Sequence, residues 1–292
     1  MPFGIYDYHK DLSTLHIGCE KPHAYFIPHT DKEAALTLPR DYSDRFKTLI
    51  GKWDFRFFAS VTELLGCELS DVEFSEKIDV PMSWQNCIDR DYDTPQYTNV
   101  RYPFPKNAPH VPEMNPAGLY SREFTVTEEF LGGREVMLNF EGVDSCFYLF
   151  INGEFVGYSQ VSHMTSEFNV TKFLHAGKNS IKVLVLKWCD GSYLEDQDMF
   201  RASGIFREVY LLSRERERIE DIFVKCDLTD DFKTATLTAE LVTNKKAKIA
   251  YTLLDKDGRE VFSGRTDANG KIDITLGEVK NPYLWSDESP YL

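Results

Sequence analysis

SCFYLFINGEFVGY, residues 145–158, decides the fold. Two aromatic, apolar runs flank Asn152-Gly153. Both turn residues tolerate the positive φ of a two-residue type I′ turn, so the stretch reads as a β-hairpin. Working outward, the same character recurs on either side. Gly51-Lys-Trp-Asp-Phe-Arg-Phe-Phe58 alternates and places Trp53, Phe55 and Phe57 on one face. Residues 119–126 alternate again, 135–141 follow, and 180–188 and 206–212 are apolar runs. Residues 169–174 read as a short helical turn. Many short strands and few helical periods predict an antiparallel sandwich.

The charged run Ser213-Arg-Glu-Arg-Glu-Arg-Ile219 marks a boundary. Beyond it, strands are expected over 219–228, 235–243, 247–254, 259–265 and 271–279, with Lys256-Asp-Gly258 and Asn269-Gly270 as hairpin turns. That pattern is an immunoglobulin-like sandwich, at about 75 residues short for a fold of ~100. The chain closes on an apolar run, which reads as a domain cut before its last strand and hence as one piece of a larger protein. At the other end, residues 1–45 hold four of the seven histidines (His9, His16, His23, His29). Their spacings suit no single helix or strand face, so the reading is an extended arm on a larger surface rather than a metal site. The expected division is an arm over 1–45, a jelly-roll over 46–216 and the immunoglobulin-like domain over 217–292. The fold class is all-β.

With 292 residues, 42% of them hydrophobic and 14% aromatic, the chain can bury a sizeable core. A formal charge of −14 argues against nucleic acid and against anionic membranes as partners, since both need basic patches. Six cysteines are scattered without a C-x-x-C pair, so neither a zinc site nor a disulfide framework is expected. With no apparent leader and no long apolar run, a cytoplasmic protein with reduced thiols is the expectation.

The chemistry concentrates in WCDGSYLEDQDMFRASGIFREV, residues 188–209, where Asp190, Glu195, Asp196 and Asp198 crowd one loop. Arg201 and Arg207 could each neutralise a carboxylate by bidentate pairing. The remaining acids suit a hard cation with oxygen ligands, a sugar whose hydroxyls donate to carboxylates, or a solvated loop. Glu195 and Asp198 could in principle meet the close spacing of a retaining glycosidase pair, but nothing supplies a deep cleft around them. A second stretch, Asp93-Thr-Pro-Gln-Tyr-Thr-Asn-Val-Arg-Tyr-Pro103, is stiffened by two prolines and presents Asn99, both donor and acceptor.

Together these motifs resemble a known family. Val80-Pro-x-Ser-Trp84, Tyr97-Thr-Asn-Val-x-Tyr-Pro103, Asn115-Pro-x-Gly-x-Tyr120, Phe140-x-Gly-Val-x-Ser145, Asn152-Gly-x-x-Val-Gly-Tyr158, Asp190-Gly-Ser-Tyr-Leu-Glu-Asp-Gln-Asp-Met199 and Ser203-Gly-Ile-Phe-Arg207 are similar to the N-terminal part of LacZ-type β-galactosidases of glycoside hydrolase family 2. The resemblance runs from about Leu49 to the end, and the Asp190–Met199 string is its most specific piece. It implies a jelly-roll sugar-binding domain, then most of an immunoglobulin-like domain, with a downstream (β/α)₈ barrel carrying two catalytic glutamates. No catalytic residue is therefore expected within 1–292. Residue by residue, Asn99 and the neighbouring Val100 match positions that contact the galactosyl sugar. Asp198 matches an aspartate that binds a galactose hydroxyl and helps ligate sodium. Gln160 and Asp190 match positions near a structural magnesium, whose N-terminal ligands the first 45 residues do not reveal. Implied partners are a β-galactoside such as lactose or galactose, the downstream barrel, and further copies of the chain in a homo-oligomer. Two other classes stay open: a free-standing carbohydrate-binding module, and an assembly role for the arm.

Overall fold

The computed structural model describes residues 7–99, 101–195 and 198–290. It divides into two compact units. The first holds the sandwich together with residues up to Pro22 and from Ile27 to Arg214. The second holds His23–Phe26 and Glu215–Leu292.

In the first unit a seven-stranded antiparallel sheet runs His16–Ile17, Glu154–Gln160, Cys146–Ile151, Gly177–Leu186, Ala117–Val126, Gly51–Phe58, Glu76–Val80. A four-stranded sheet runs Ser166–Asn169, Glu135–Phe140, Val209–Arg214, Phe46–Thr48. The expected hairpin forms the second and third strands of the larger sheet: Asn152 (φ 50°) and Gly153 (φ 83°) turn the chain, and Ile151 pairs with Glu154. Trp53 and Phe55 are fully buried between the sheets with Phe140, Phe147 and Phe168, and Phe57 packs against the same cluster. The helical turn expected near 169–174 is a short 3₁₀ segment, Thr171–Phe173.

The far face of the large sheet is also covered. Leu119, Tyr148, Tyr158, Leu184 and Leu186 pack beneath Val61, Leu64 and Leu69. That is why 180–186 and 146–151 read as apolar runs rather than alternations: strands buried on both faces have no polar side. The arm joins this packing. His9 is buried with Nδ1 2.9 Å from the Tyr148 hydroxyl, and burial pushes its imidazole down to about 4. His16 and Ile17 add an edge strand to the large sheet opposite Ser159 and Tyr158. Arg40 bridges Glu141 (2.7 Å) and Glu208 (2.6 Å) while stacking on Tyr210. The arm's histidines go to separate partners: His9 to Tyr148, His16 to Ser159, His23 to the carbonyl of Ala24.

The second unit is one three-stranded antiparallel sheet, Ile219–Leu228, Thr234–Leu254, Glu260–Lys280. Here the expected boundaries change. Runs 235–243 and 247–254 join into one strand, as do 259–265 and 271–279, and Asn269-Gly270 is not a hairpin turn. Gly270 pairs with Thr243 and Ala268 with Ala247, so residues 244–246 face Asn269 alone. A bulge absorbs the extra residues and lets pairing continue through the site where a turn was expected. Lys256-Asp-Gly258 does turn the chain, with Gly258 at φ 78°. The overall class is nevertheless as expected: all-β, a jelly-roll followed by an immunoglobulin-like unit.

Candidate functional site

Two short strands pair as a ribbon separate from the two sheets of the sandwich. Gln96–Thr98 pairs antiparallel with Met199–Arg201, Thr98 opposite Met199 and Gln96 opposite Arg201. The next residue outward is Asn99 on one strand and Asp198 on the other. The register therefore brings the two principal candidates to the same end of one ribbon, both exposed. Tyr97 ties them together. Its hydroxyl donates to Asp198 Oδ1, which raises the phenol above its ordinary value, while a side-chain hydrogen bond with Asn99 acts in the opposite sense. Beside them the rings of Tyr97 and Phe200 lie 5.7 Å apart, 55% and 64% exposed. A carboxylate, a carboxamide and two aromatic faces are a donor–acceptor and stacking set suited to a polyhydroxylated ring.

Under the ribbon the acids have other tasks. Glu195 accepts from the Ser162 backbone N–H (2.9 Å), the Ser162 hydroxyl (3.1 Å) and the Ser145 hydroxyl (3.3 Å). It holds the loop closed, so it does not form a free carboxylate pair with Asp198. Arg201 is buried; it donates to the Glu195 carbonyl (2.8 Å) and to Thr98 Oγ1 (3.3 Å). Arg207 points instead to the carbonyls of Glu141 and His163, not to the loop acids. Among the described carboxyl groups Asp144 is displaced furthest from its ordinary state. Burial first, and then the like charge of Glu195, push its carboxyl up to about 8, against the pull of Arg201 and Lys187. An aromatic wall backs the neighbouring loop: the Tyr102 hydroxyl donates to the Tyr193 carbonyl (2.7 Å), and Phe104 meets Trp188 edge-on at 5.1 Å.

Asp190 and Gln160 come together at a second place. Asp190 is buried, and desolvation raises its carboxyl, countered by hydrogen bonds from Gln160 and from the Gly191 N–H at 2.9 Å. Gln160 Oε1 accepts from the Tyr158 hydroxyl at 2.8 Å, and its backbone N–H donates to Leu15 in the arm. Asp11, also in the arm, lies near enough for its like charge to raise Asp190 further. Two carboxylates and an amide oxygen suit a hard cation, which takes oxygen ligands only. Among the described residues, though, no group of three or more His, Cys, Asp or Glu converges as a metal cage.

Asn99 with Asp198, and Gln160 with Asp190, are thus neighbours in the fold. Val100 and Asp196 lie outside the described residues. Sequence reasoning missed Tyr97 as the link between Asn99 and Asp198, although alternation along 96–98 puts it next to Asn99. It missed Asp144 and Asp11 altogether, because a single aspartate carries no local signal of burial or of a partner far away in the chain.

Comparison with known proteins agrees with this layout. Residues 46–215 match the sugar binding domain of glycosyl hydrolases family 2, and residues 217–292 match a further model described as glycosyl hydrolases family 2. A β-galactosidase of Actinobacillus pleuropneumoniae is 46% identical over 287 residues, covering 98% of this chain and 27% of that protein. A β-galactosidase of Staphylococcus xylosus is 42% identical over 287 residues, covering 98% of the chain and 28% of its own length. The chain thus spans a little over a quarter of the length of these curated relatives. Among solved structures, a β-glucuronidase of Bifidobacterium dentium superposes with a TM-score of 0.62 at 18% identity, over 85% of this chain and 44% of that one. Bacteroides uniformis β-glucuronidase 2 gives 0.64 at 19% identity, over 84% and 29%. At such identities the likeness is one of fold. The sandwich and the three-stranded unit, with the two matched segments that cover them, make this chain a member of glycosyl hydrolase family 2.

Proposed function

We propose that this chain is the N-terminal, sugar-contacting part of a retaining β-galactosidase that hydrolyses terminal β-D-galactosides such as lactose. The observation that carries the reading is the ribbon, whose register sets Asn99 beside Asp198 with the Tyr97 hydroxyl between them. The names of the relatives at 46% and 42% identity support the galactoside as the substrate class. In this reading Asp198 accepts a galactose hydroxyl and Asn99 and Val100 line the wall beside it. Double displacement needs two carboxyl groups about 5–5.5 Å apart across the glycosidic bond, and a downstream barrel would supply both. The 292-residue chain is inactive by itself.

Asp198 would give one carboxylate to a sodium ion. Asp190, Gln160 and Asp11 would give oxygen ligands to a magnesium ion, whose charge would offset the two carboxylates crowded there. The chemistry such ions supply is local charge neutralisation.

Reading the gene past codon 292 tests the placement. An open frame continuing into alternating β/α pattern is the expected result; a stop codon after Leu292 overturns it. In the encoded enzyme, Asp198→Ala should lower kcat/KM for an aryl β-galactoside by about 10- to 100-fold, the worth of one charged hydrogen bond. Turnover close to wild type removes the role assigned to Asp198. The exposed pair Tyr97 and Phe200 favours a second reading, a free-standing carbohydrate-binding module. Calorimetric titration of galactose into the 292-residue chain separates the two, since micromolar affinity belongs to the module and very weak binding to the enzyme part.

A further inference from the structure

The ribbon bearing Asn99 and Asp198 is rooted in one buried polar network. Lys187 follows directly on the strand Gly177–Leu186 and is only 2% exposed; its ammonium pairs with Asp93 Oδ2, itself 15% exposed. Asp93 lies on the segment leading into Gln96–Thr98. Gln85 Nε2 donates to the same Asp93 oxygen at 3.0 Å and to Ser203 Oγ at 3.2 Å, while its Oε1 accepts from the Ser203 backbone N–H at 2.8 Å. Ser203 comes just after Met199–Arg201. One carboxamide therefore joins the root of one ribbon strand to the root of the other, and one ion pair fastens both to a central strand of the large sheet. The anchor is itself held in place. Lys187 N–H donates to the Pro116 carbonyl at 2.9 Å, and its ammonium lies 5.1 Å from the centre of the Trp188 ring.

Stability alone is a poor reason for such a pair. Taking two charges out of water costs about what their attraction returns, and apolar replacement of both partners is often neutral or stabilising. What the pair does supply is a single geometry at the base of a partly exposed ribbon. We propose that Lys187 and Asp93, with Gln85 as the cross-link, are positioning residues that fix the ribbon and so hold Asn99 against Asp198. The inference deepens the proposed function, resting on the reading that those two residues face the sugar.

The double variant Asp93→Leu/Lys187→Met removes both charges while keeping apolar bulk, so the sandwich is expected to fold. Hydrogen exchange on the 292-residue chain reads the ribbon separately from the sheets. Amides of 96–98 and 199–201 should exchange at least about tenfold faster in the variant, while those of 117–126 and 177–186 stay within about twofold of wild type. The Asn99 side-chain amide resonance should shift as well. Gln85→Ala should loosen the same amides by less. Lys187→Arg, which keeps the ion pair, should hold the ribbon near wild type where Lys187→Met does not. Unchanged ribbon exchange in the double variant overturns the proposal. Acceleration spread evenly over the sheets also overturns it, because the pair would then be a general stabiliser. The sugar reading fails separately: Asp198→Ala with unchanged galactoside hydrolysis removes it even where ribbon exchange responds as stated.

Discussion

The same dipeptide occurs in both units and does opposite things. Asn152-Gly153 closes a tight hairpin, whereas Asn269-Gly270 lies inside a continuous strand. Asn152 is built into its surroundings: its side chain donates to the Phe173 carbonyl (2.8 Å) and to Asn179 Oδ1 (2.9 Å) and accepts from the Ser180 N–H (2.8 Å). The strands it joins bury Phe147, Leu149, Ile151 and Tyr158. At the second site the flanking residues alternate between exposed and less exposed, and the Gly270 N–H goes to Thr243 Oγ1 at 3.2 Å. Bulged Asn244 ties across to Arg216 and Arg218, so the ladder continues past the dipeptide. The turn moves to where Asp255 Oδ1 accepts from both the Asp257 and the Arg259 N–H at 2.9 Å. A turn signal is therefore permissive, and packing and side-chain caps decide which turn forms.

The units differ in burial in the same way. The sandwich hides Trp53, Phe55, Tyr120 and Phe140 completely, while the second unit leaves Phe223 57% and Val224 47% exposed and buries mainly Ala235, Ala239, Leu241 and Ala268. The largest expected effect tests this contrast. Phe140→Ala should cost about 3–5 kcal/mol by urea denaturation followed through tryptophan fluorescence, whereas Phe223→Ala should stay within about 0.5 kcal/mol. Three of the four tryptophans lie in the first unit, so fluorescence reads Phe140→Ala, and hydrogen exchange of the amides of 219–228 reads Phe223→Ala. Comparable losses would mean that Phe223 is covered in solution and would break the comparison.

Asp144 sharpens the comparison on the electrostatic side, because the packing that stabilises the sandwich also penalises a partly buried charge beside it. Folding raises its carboxyl from the ordinary range to about 8. Between about pH 4 and pH 8 the unfolded chain has released this proton and the folded chain retains it. The contribution to stability therefore falls as pH rises through that window and levels off above it. Asp144→Asn should remove this slope, adding of order 2 kcal/mol by pH 7.5 once the cost of burying the amide is subtracted, with no gain at pH 4. Denaturation of both proteins at several pH values checks it, and parallel curves would show that Asp144 is ionised in the fold.

Much of the sandwich was legible in the sequence because burial leaves a periodic trace. Trp53, Phe55 and Phe57 alternate, and the 145–158 hairpin carries its own turn. The resemblance assigns Asn99 and Asp198 to the same sugar, but the geometry that joins them was not legible. Their adjacency depends on a three-residue ladder between distant segments, and Tyr97 acts across that ladder. Lys187, Asp93 and Gln85 read as ordinary polar residues until the fold buries them. In the second unit strand content was legible and strand ends were not, since Asn-Gly permits a turn but also sits within a strand opposite a bulge.

The smallest effect separates those two uses of one dipeptide most directly. Asn152→Ala removes four side-chain hydrogen bonds and the non-glycine residue type that best tolerates φ near 50°, so it should destabilise the sandwich by about 2 kcal/mol. Asn269→Ala, opposite a bulge in a partly exposed strand, should change stability by less than about 0.5 kcal/mol. Asp255→Ala should fall between them, near 1 kcal/mol, because it uncaps the turn that forms. If Asn269→Ala instead costs as much as Asn152→Ala, the chain turns at 269–270 in solution. The two long strands would then divide into the four shorter ones that the sequence pattern suggests, and the second unit would resemble the sandwich in construction after all.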